Sequence, residues 1–174
     1  AGAGMQADLK TFQELDVYGM VALTSIVTMD KETWSHDVTP IDMNVFEKQL
    51  ETAISIGPDA IKTGMLGTQD IIKRAGDVFV ESGADYFVVD PVMVCKGEDE
   101  VLNPGNTEAM IQYLLPKATV VTPNLFEAGQ LSGLGKLTSI EDMKKAAQVI
   151  YDKGTPHVII KGGKRSEEHT SELQ

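Results

Sequence analysis

The chain is poor in sulfur nucleophiles, in basic charge and in long apolar runs. Cys95 is its single cysteine, so no internal disulfide can form, and a reducing compartment, the cytoplasm, is expected. No apolar stretch approaches the roughly 18 residues that a membrane-spanning helix needs. Basic residues number 15 against 26 acids, a net charge of −11, which argues against nucleic acid or an anionic membrane as the main partner. No signal-peptide pattern opens the sequence. Repeats, low-complexity tracts and linkers are also missing. At 174 residues the expectation is one domain large enough to bury a real core.

Both ends read as artificial. The first residue is Ala1 rather than Met, and Ala1-Gly2-Ala3-Gly4 is a loop with no strand before it. At the other end, Arg165-Ser166-Glu167-Glu168-His169-Thr170-Ser171-Glu172-Leu173-Gln174 resembles the in-frame translation of a sequencing-library adapter. Residues 165–174 are therefore expected to be an artefactual tail and 1–164 the domain. The remainder is still acidic, and His169 is no ligand candidate.

What the chain does have is alternation of strand and helix patterns. Tyr86-Phe87-Val88-Val89 is a near-continuous apolar run, which predicts a strand buried on both faces of a parallel sheet. It ends in Asp90-Pro91. A carboxylate at the carboxyl end of such a strand faces the crevice where open α/β sheets bind ligands. Proline cannot continue the ladder, so the chain turns and carries Val92, Met93 and Cys95 over the same crevice.

Apolar residues Met5, Leu9, Phe12 and Leu15 predict a helix over 5–15. The β-branched stretch 18–29 predicts a second buried strand, and the polar 30–40, with Trp34 and His36, a loop. Residues 43–56 predict an amphipathic helix with Val45, Phe46, Leu50, Ala53 and Ile54 on one side. A short strand over 60–63 leads into Gly64-Met65-Leu66-Gly67. Thr68 is the expected N-cap of a helix to about Ser82, with Gly83 ending it. A helix over 106–115, a strand over 119–122 and a helix capped by Asn124 follow. Ser139 and Asp142 predict a capping-box start for the next helix, and 158–161 is the last strand. Five strands alternating with helices mean α/β with a mostly parallel sheet. The residues just past the strand ends, Met29, Gly64-Met65, Asp90-Pro91, Pro123-Asn124 and Gly162-Gly163, then collect on one rim.

Three of those ends form longer motifs in a fixed order: Asp90-Pro91-Val92-Met93, Thr122-Pro123-Asn124-Leu125-Phe126-Glu127 and Ile160-Lys161-Gly162-Gly163. With Ala3-Gly4-Met5-Gln6-Ala7-Asp8-Leu9-Lys10-Thr11-Phe12 and Lys62-Thr63-Gly64-Met65-Leu66-Gly67 they run in register over 1–164. On these residues the chain resembles the ribokinase-like small-molecule kinases, in the branch of hydroxymethylpyrimidine and pyridoxal kinases. The resemblance implies a three-layer α-β-α sandwich around a mostly parallel sheet, ATP and Mg²⁺ as cofactors, and a homodimeric parent. The implied reaction is ATP-dependent phosphorylation of the hydroxymethyl group of a pyridoxal-type ring.

Phosphoryl transfer depends mainly on positioning and charge neutralisation, and the motif residues suit it. Asp90 and Glu127, acids at adjacent strand ends, can hold a hydrated Mg²⁺ through its waters. Asn124, at a helix N-terminus, can meet metal-bound water or phosphate. Lys161 is a point charge beside two glycines, able to reach a nucleotide phosphate. Lys161 and Cys95 are the candidates for catalysis, Cys95 because a thiolate could add to an aldehyde. For the acceptor pocket the resemblance implies Gly64, Met65 and Val92, with His36 and Trp34 in a lid segment. Met29 stands where the pyrimidine kinases carry a glutamine that pairs with the aminopyrimidine. Methionine cannot make that pair, and the unpaired polar edges would cost about 1–3 kcal/mol. A pyridoxal-type acceptor therefore fits better than hydroxymethylpyrimidine of the thiamin pathway. A non-catalytic ligand-binding chain is the other alternative.

The family's pattern extends before Ala1 and beyond Lys164, and includes a first strand with an acceptor-contacting aspartate, the glycine-rich anion hole and the residue that activates the hydroxyl. Residues 1–174 alone are thus expected to be poorly packed and to lack turnover, with the edge of the 18–29 strand uncovered.

Overall fold

A computed structural model describes residues 3–93 and 104–162. In chain order they form α1 (Met5–Glu14), β1 (Ser25–Met29), β2 (His36–Pro40), α2 (Met43–Ile54), β3 (Ala60–Thr63), α3 (Gln69–Ser82), β4 (Tyr86–Val89) and α4 (Pro104–Ala109). A π-helical turn (Met110–Leu114), β5 (Val120–Val121), α5 (Leu125–Ser132), α6 (Ile140–Asp152) and β6 (His157–Val158) follow. The principal sheet has the order β3-β4-β5-β6 and every pairing in it is parallel. Parallel pairing puts all four carboxyl ends on one rim. The mixed α/β architecture with a parallel sheet is the one expected.

The central strands are buried on one face and not on the two expected. Along β4 Phe87 and Val89 are buried, whereas Tyr86 is exposed and Val88 half-buried, because only one face of the sheet is tightly covered by helices. Phe87, Val89 and Val121 are fully buried, and Phe87 stacks on Phe79 of α3 with ring centroids 4.8 Å apart. Helix α3 begins where Thr68 accepts from the Ile71 amide and stops at Gly83, which takes the left-handed conformation (φ 68°) that glycine adopts without strain. Its buried stripe is Ile71, Ile72, Ala75, Gly76 and Val78. Gly76 sets how closely α3 approaches the π turn, because a β-carbon there would lie 2.5 Å from the Tyr113 carbonyl oxygen. A backbone atom cannot swing aside as a side chain would. Gly76→Ala should therefore lower stability by about 1–3 kcal/mol, the usual penalty for overpacking. The check is the urea midpoint, and an unchanged midpoint would mean the helices separate freely.

Three further expectations are corrected. Residues 18–29 do not enter the principal sheet as a buried strand. Only Ser25–Met29 is a strand, and it pairs antiparallel with His36–Pro40 in a separate two-stranded sheet, with Met29 opposite His36. Residues 30–40 are thus the turn and second strand of a hairpin rather than a loop. Asp30 organises that turn: one carboxylate oxygen accepts from the Glu32 amide at 2.9 Å and the Thr33 amide at 2.7 Å. Local pairing across a short turn closes a smaller loop than pairing with a distant strand, and Ile26, Val27 and Met29 stay exposed. Third, the last two strands are shorter than expected, two residues each. Beyond β5 and β6 the ladder resumes as a single bridge between Asn124 and Lys161. The helix expected over 106–115 starts at Pro104 and widens into the π turn, where the Leu115 amide reaches the Met110 carbonyl.

Candidate active site

Each strand of the principal sheet delivers one feature to the rim. Behind β4 the backbone turns at once, the Val92 amide donating to the Asp90 carbonyl at 2.9 Å, while Pro91 and Met93 are buried. Asp90 is thereby held at the strand end with its side chain partly accessible. Behind β5 comes Asn124, the N-cap of α5. Its side chain accepts from the Glu127 amide at 2.8 Å, and the Glu127 carboxylate accepts from the Asn124 amide at 2.8 Å, a complete capping box. Past β6, Lys161 is fixed by its amide, which donates to the Pro123 carbonyl at 2.8 Å. Its ammonium nitrogen lies 3.1 Å from Asp90 Oδ1. One ion pair thus spans from the end of β4 to the end of β6, across β5.

Glu127 is only 3% exposed. Burial pushes its carboxyl above the ordinary glutamate range, and the Asp90 charge nearby adds to the effect; the Asn124 amide, the Lys161 charge and the Met93 amide pull the other way. One Glu127 oxygen is occupied by the cap. What the rim offers a ligand directly is therefore Asp90, the Asn124 side-chain amide and the Lys161 ammonium, with Glu127 enclosed beside them.

Among the described residues no group of three or more His, Cys, Asp or Glu could hold a metal by itself. In phosphoryl-transfer sites Mg²⁺ is held by one or two carboxylates together with substrate phosphates and retained water. Asp90 and Glu127 could supply the carboxylates of such a set, and Lys161 beside them carries a positive charge.

The acceptor-side candidates divide into two places. Gly64 and Met65 follow β3 directly, and Val92 follows β4, its neighbour in the sheet, so these three share the rim. A β-carbon on Gly64 would meet no atom within 4 Å; its side is open. Met29 and His36 face each other in the hairpin instead. The hairpin root sits against the rim loop, since Thr24 donates its hydroxyl to the Met65 carbonyl and Gly67 lies against Ser25. Met29 is four residues farther along the strand, roughly 13 Å away, and 46% exposed. Trp34 is also exposed, at the hairpin turn. Cys95, Gly163 and the 165–174 tail lie outside the described residues. Sequence reasoning missed Thr24 and Asn106, whose side chains hold the rim loop from 41 and 39 residues away. No local pattern marks either one, because both contacts are made across long sequence separations.

Residues 1–173 match the family model for phosphomethylpyrimidine kinase, and the chain belongs to that family, with the ribokinase-like fold the motifs implied. A provisionally named pyridoxine kinase of Staphylococcus epidermidis is 96% identical over 171 residues, which are 98% of this chain and 62% of that relative. The pyridoxal kinase of Staphylococcus aureus, solved in complex with pyridoxal, is 84% identical with a TM-score of 0.89, over 94% of this chain and 59% of that one. The same enzyme in complex with AMP-PCP and pyridoxal superposes with a TM-score of 0.89. This chain thus spans about 60% of the length of the relatives it matches.

Proposed function

We propose that this chain is the greater part of an ATP-dependent kinase that phosphorylates the hydroxymethyl group of pyridoxal, pyridoxine or pyridoxamine. The observation that carries it is the Lys161–Asp90 ion pair beside the Asn124–Glu127 capping box on one sheet rim, in a family member so similar to a pyridoxal-bound kinase. Lys161 would direct its ammonium to the phosphate being transferred, exchanging Asp90 for it when nucleotide binds. Asp90 and Glu127 would hold Mg²⁺ through its waters, which supplies neutralisation of the phosphate charge. Asn124, locked by its cap, would present its side-chain amide to the same groups. On the acceptor side, Gly64, Met65 and Val92 would flank the flat ring, and the hairpin bearing Met29 and His36 would cover it. Cys95 would contribute chemistry at the aldehyde. The cytoplasm as compartment and a homodimer as assembly belong to the same proposal.

Acceptor choice is the sharpest test. A chain of the relatives' full length should turn over pyridoxal in preference to hydroxymethylpyrimidine. Met29→Gln should shift the kcat/KM ratio toward hydroxymethylpyrimidine by about threefold to tenfold, the worth of one added hydrogen bond. Coupled ATPase assays with both acceptors measure it. A preference for the pyrimidine in the parent would sink the pyridoxal assignment, and an unmoved ratio in the variant would place Met29 away from the ring.

A further inference from the structure

The 64–68 loop is gripped by side chains from outside its own strand and helix. Thr24 donates to the Met65 carbonyl. Gly67 takes φ +76°, and a β-carbon there would meet Ser25 Oγ at 2.6 Å. From the opposite direction in sequence, Asn106 on α4 donates its Nδ2 to the Gly67 carbonyl at 2.9 Å. Asn106 is 7% exposed, and among the described residues its own carbonyl oxygen is buried without a hydrogen-bond partner, as is Ser25 Oγ.

Neither polar atom of Asn106 serves α4: Nδ2 is spent on the Gly67 carbonyl and Oδ1 finds no partner among the described residues. A buried acceptor left unpaired costs more than an apolar group of the same shape. A leucine, with the same number of side-chain heavy atoms, would serve packing alone. Breaches of local sequence rules of this kind concentrate where function requires them. What Asn106 does achieve is to tie the Gly67 carbonyl of the loop to α4. Gly67 can present that carbonyl because it adopts the left-handed conformation.

We propose that Asn106 is a positioning residue for the acceptor pocket, holding the Gly64 and Met65 backbone in place through the Gly67 carbonyl. This rests on the acceptor-side assignment of Gly64 and Met65 made under the proposed function. The residue touches neither ring nor phosphate; it acts through the loop.

The test uses a chain of the relatives' full length and two variants. Asn106→Leu removes both polar atoms while keeping the number of side-chain heavy atoms and the branch at Cγ. Hydrogen–deuterium exchange over 64–68 should quicken while β4 is unchanged, and the KM for pyridoxal should rise about tenfold, the worth of one hydrogen bond. The KM for ATP should stay within about twofold, because the loop is remote from Lys161 in the strand order. Asn106→Asp is the second variant. Its carboxylic acid can donate to the Gly67 carbonyl, whereas its carboxylate repels it, so its KM for pyridoxal should climb with pH where the parent's stays flat. Loop exchange equal to the parent's, or ATP and acceptor KM rising together, would overturn the proposal; so would an Asp profile parallel to the parent's. If the parent phosphorylates no pyridoxal-type acceptor, the proposed function fails, while the exchange measurement still decides whether Asn106 holds the loop.

Discussion

Lys161→Ala, in a chain of the relatives' full length, should lower kcat about a hundredfold and raise the KM for ATP, leaving the acceptor KM nearly unchanged. Removal of one preorganised group facing charge that develops in the transition state has costs of that order. The geometry explains why the loss should fall on catalysis and not on folding. The Lys161–Asp90 pair is 3.1 Å long, but its side chains are 48% and 24% exposed, and half-exposed ion pairs contribute little stability. The Lys161 backbone is held independently, through its amide on Pro123 and its bridge to Asn124. The alanine variant should therefore melt within a few degrees of the parent. Lys161→Arg restores the charge but not the compact shape of an ammonium, so it should recover only part of the rate. Steady-state kinetics with varied ATP, beside a thermal melt, check the prediction. Unaltered ATP kinetics in the alanine variant would reduce Lys161 to a structural partner of Asp90.

Glu127→Gln should move activity and stability in opposite directions. Burial is the main reason the Glu127 carboxyl sits above its ordinary value of 4.5. A carboxyl whose pKa is raised on folding binds more protons in the native state than in the unfolded one. Its favourable contribution is complete below pH 4.5 and is lost as pH rises through the folded pKa. At neutral pH the buried carboxylate is therefore a net cost. Glutamine keeps an oxygen for the Asn124 amide and removes the charge, so the variant should melt above the parent at pH 7 to 8. The difference should shrink to nothing near pH 4, where both side chains are neutral. Turnover should fall about 10- to 100-fold, the range found when a group supporting a metal site is changed. Melting curves across pH and a rate at saturating substrates separate the two effects. A variant less stable than the parent at pH 7 would mean that the cap, rather than desolvation, dominates at this residue.

The pairing of these two experiments follows from how the rim is built. Lys161 is accessible and weakly tied, so its charge is free to serve a ligand. Glu127 is enclosed and committed on one oxygen, so its charge is expensive. Both lie at one edge because parallel pairing admits no other arrangement of the strand ends.

Short-range signals were legible without coordinates. Thr68, Asn124 and the Ser139–Asp142 box all cap helices where expected, because capping joins residues three apart and leaves its mark in nearby letters. That Glu127 closes a box with Asn124 came from the structure. Phe87 and Val89 read as core, and are core, because they share one face of β4. Tyr86 and Val88 on the other face are exposed and half-buried, which an unbroken apolar run does not reveal. Asp90, Asn124, Glu127 and Lys161 were drawn to one rim by the same logic, each standing just past a strand of a parallel sheet. Residues 18–29 were not legible. An apolar, β-branched run shows that a segment will pair but not with which partner, and here the polar segment after it supplied one. The ion pair between Lys161 and Asp90 joins residues 71 apart, and the hold of Asn106 on Gly67 joins residues 39 apart. No sequence period encodes either contact. They exist because the crossover helices bring those strand ends and loops together, and only the packed structure decides that distance.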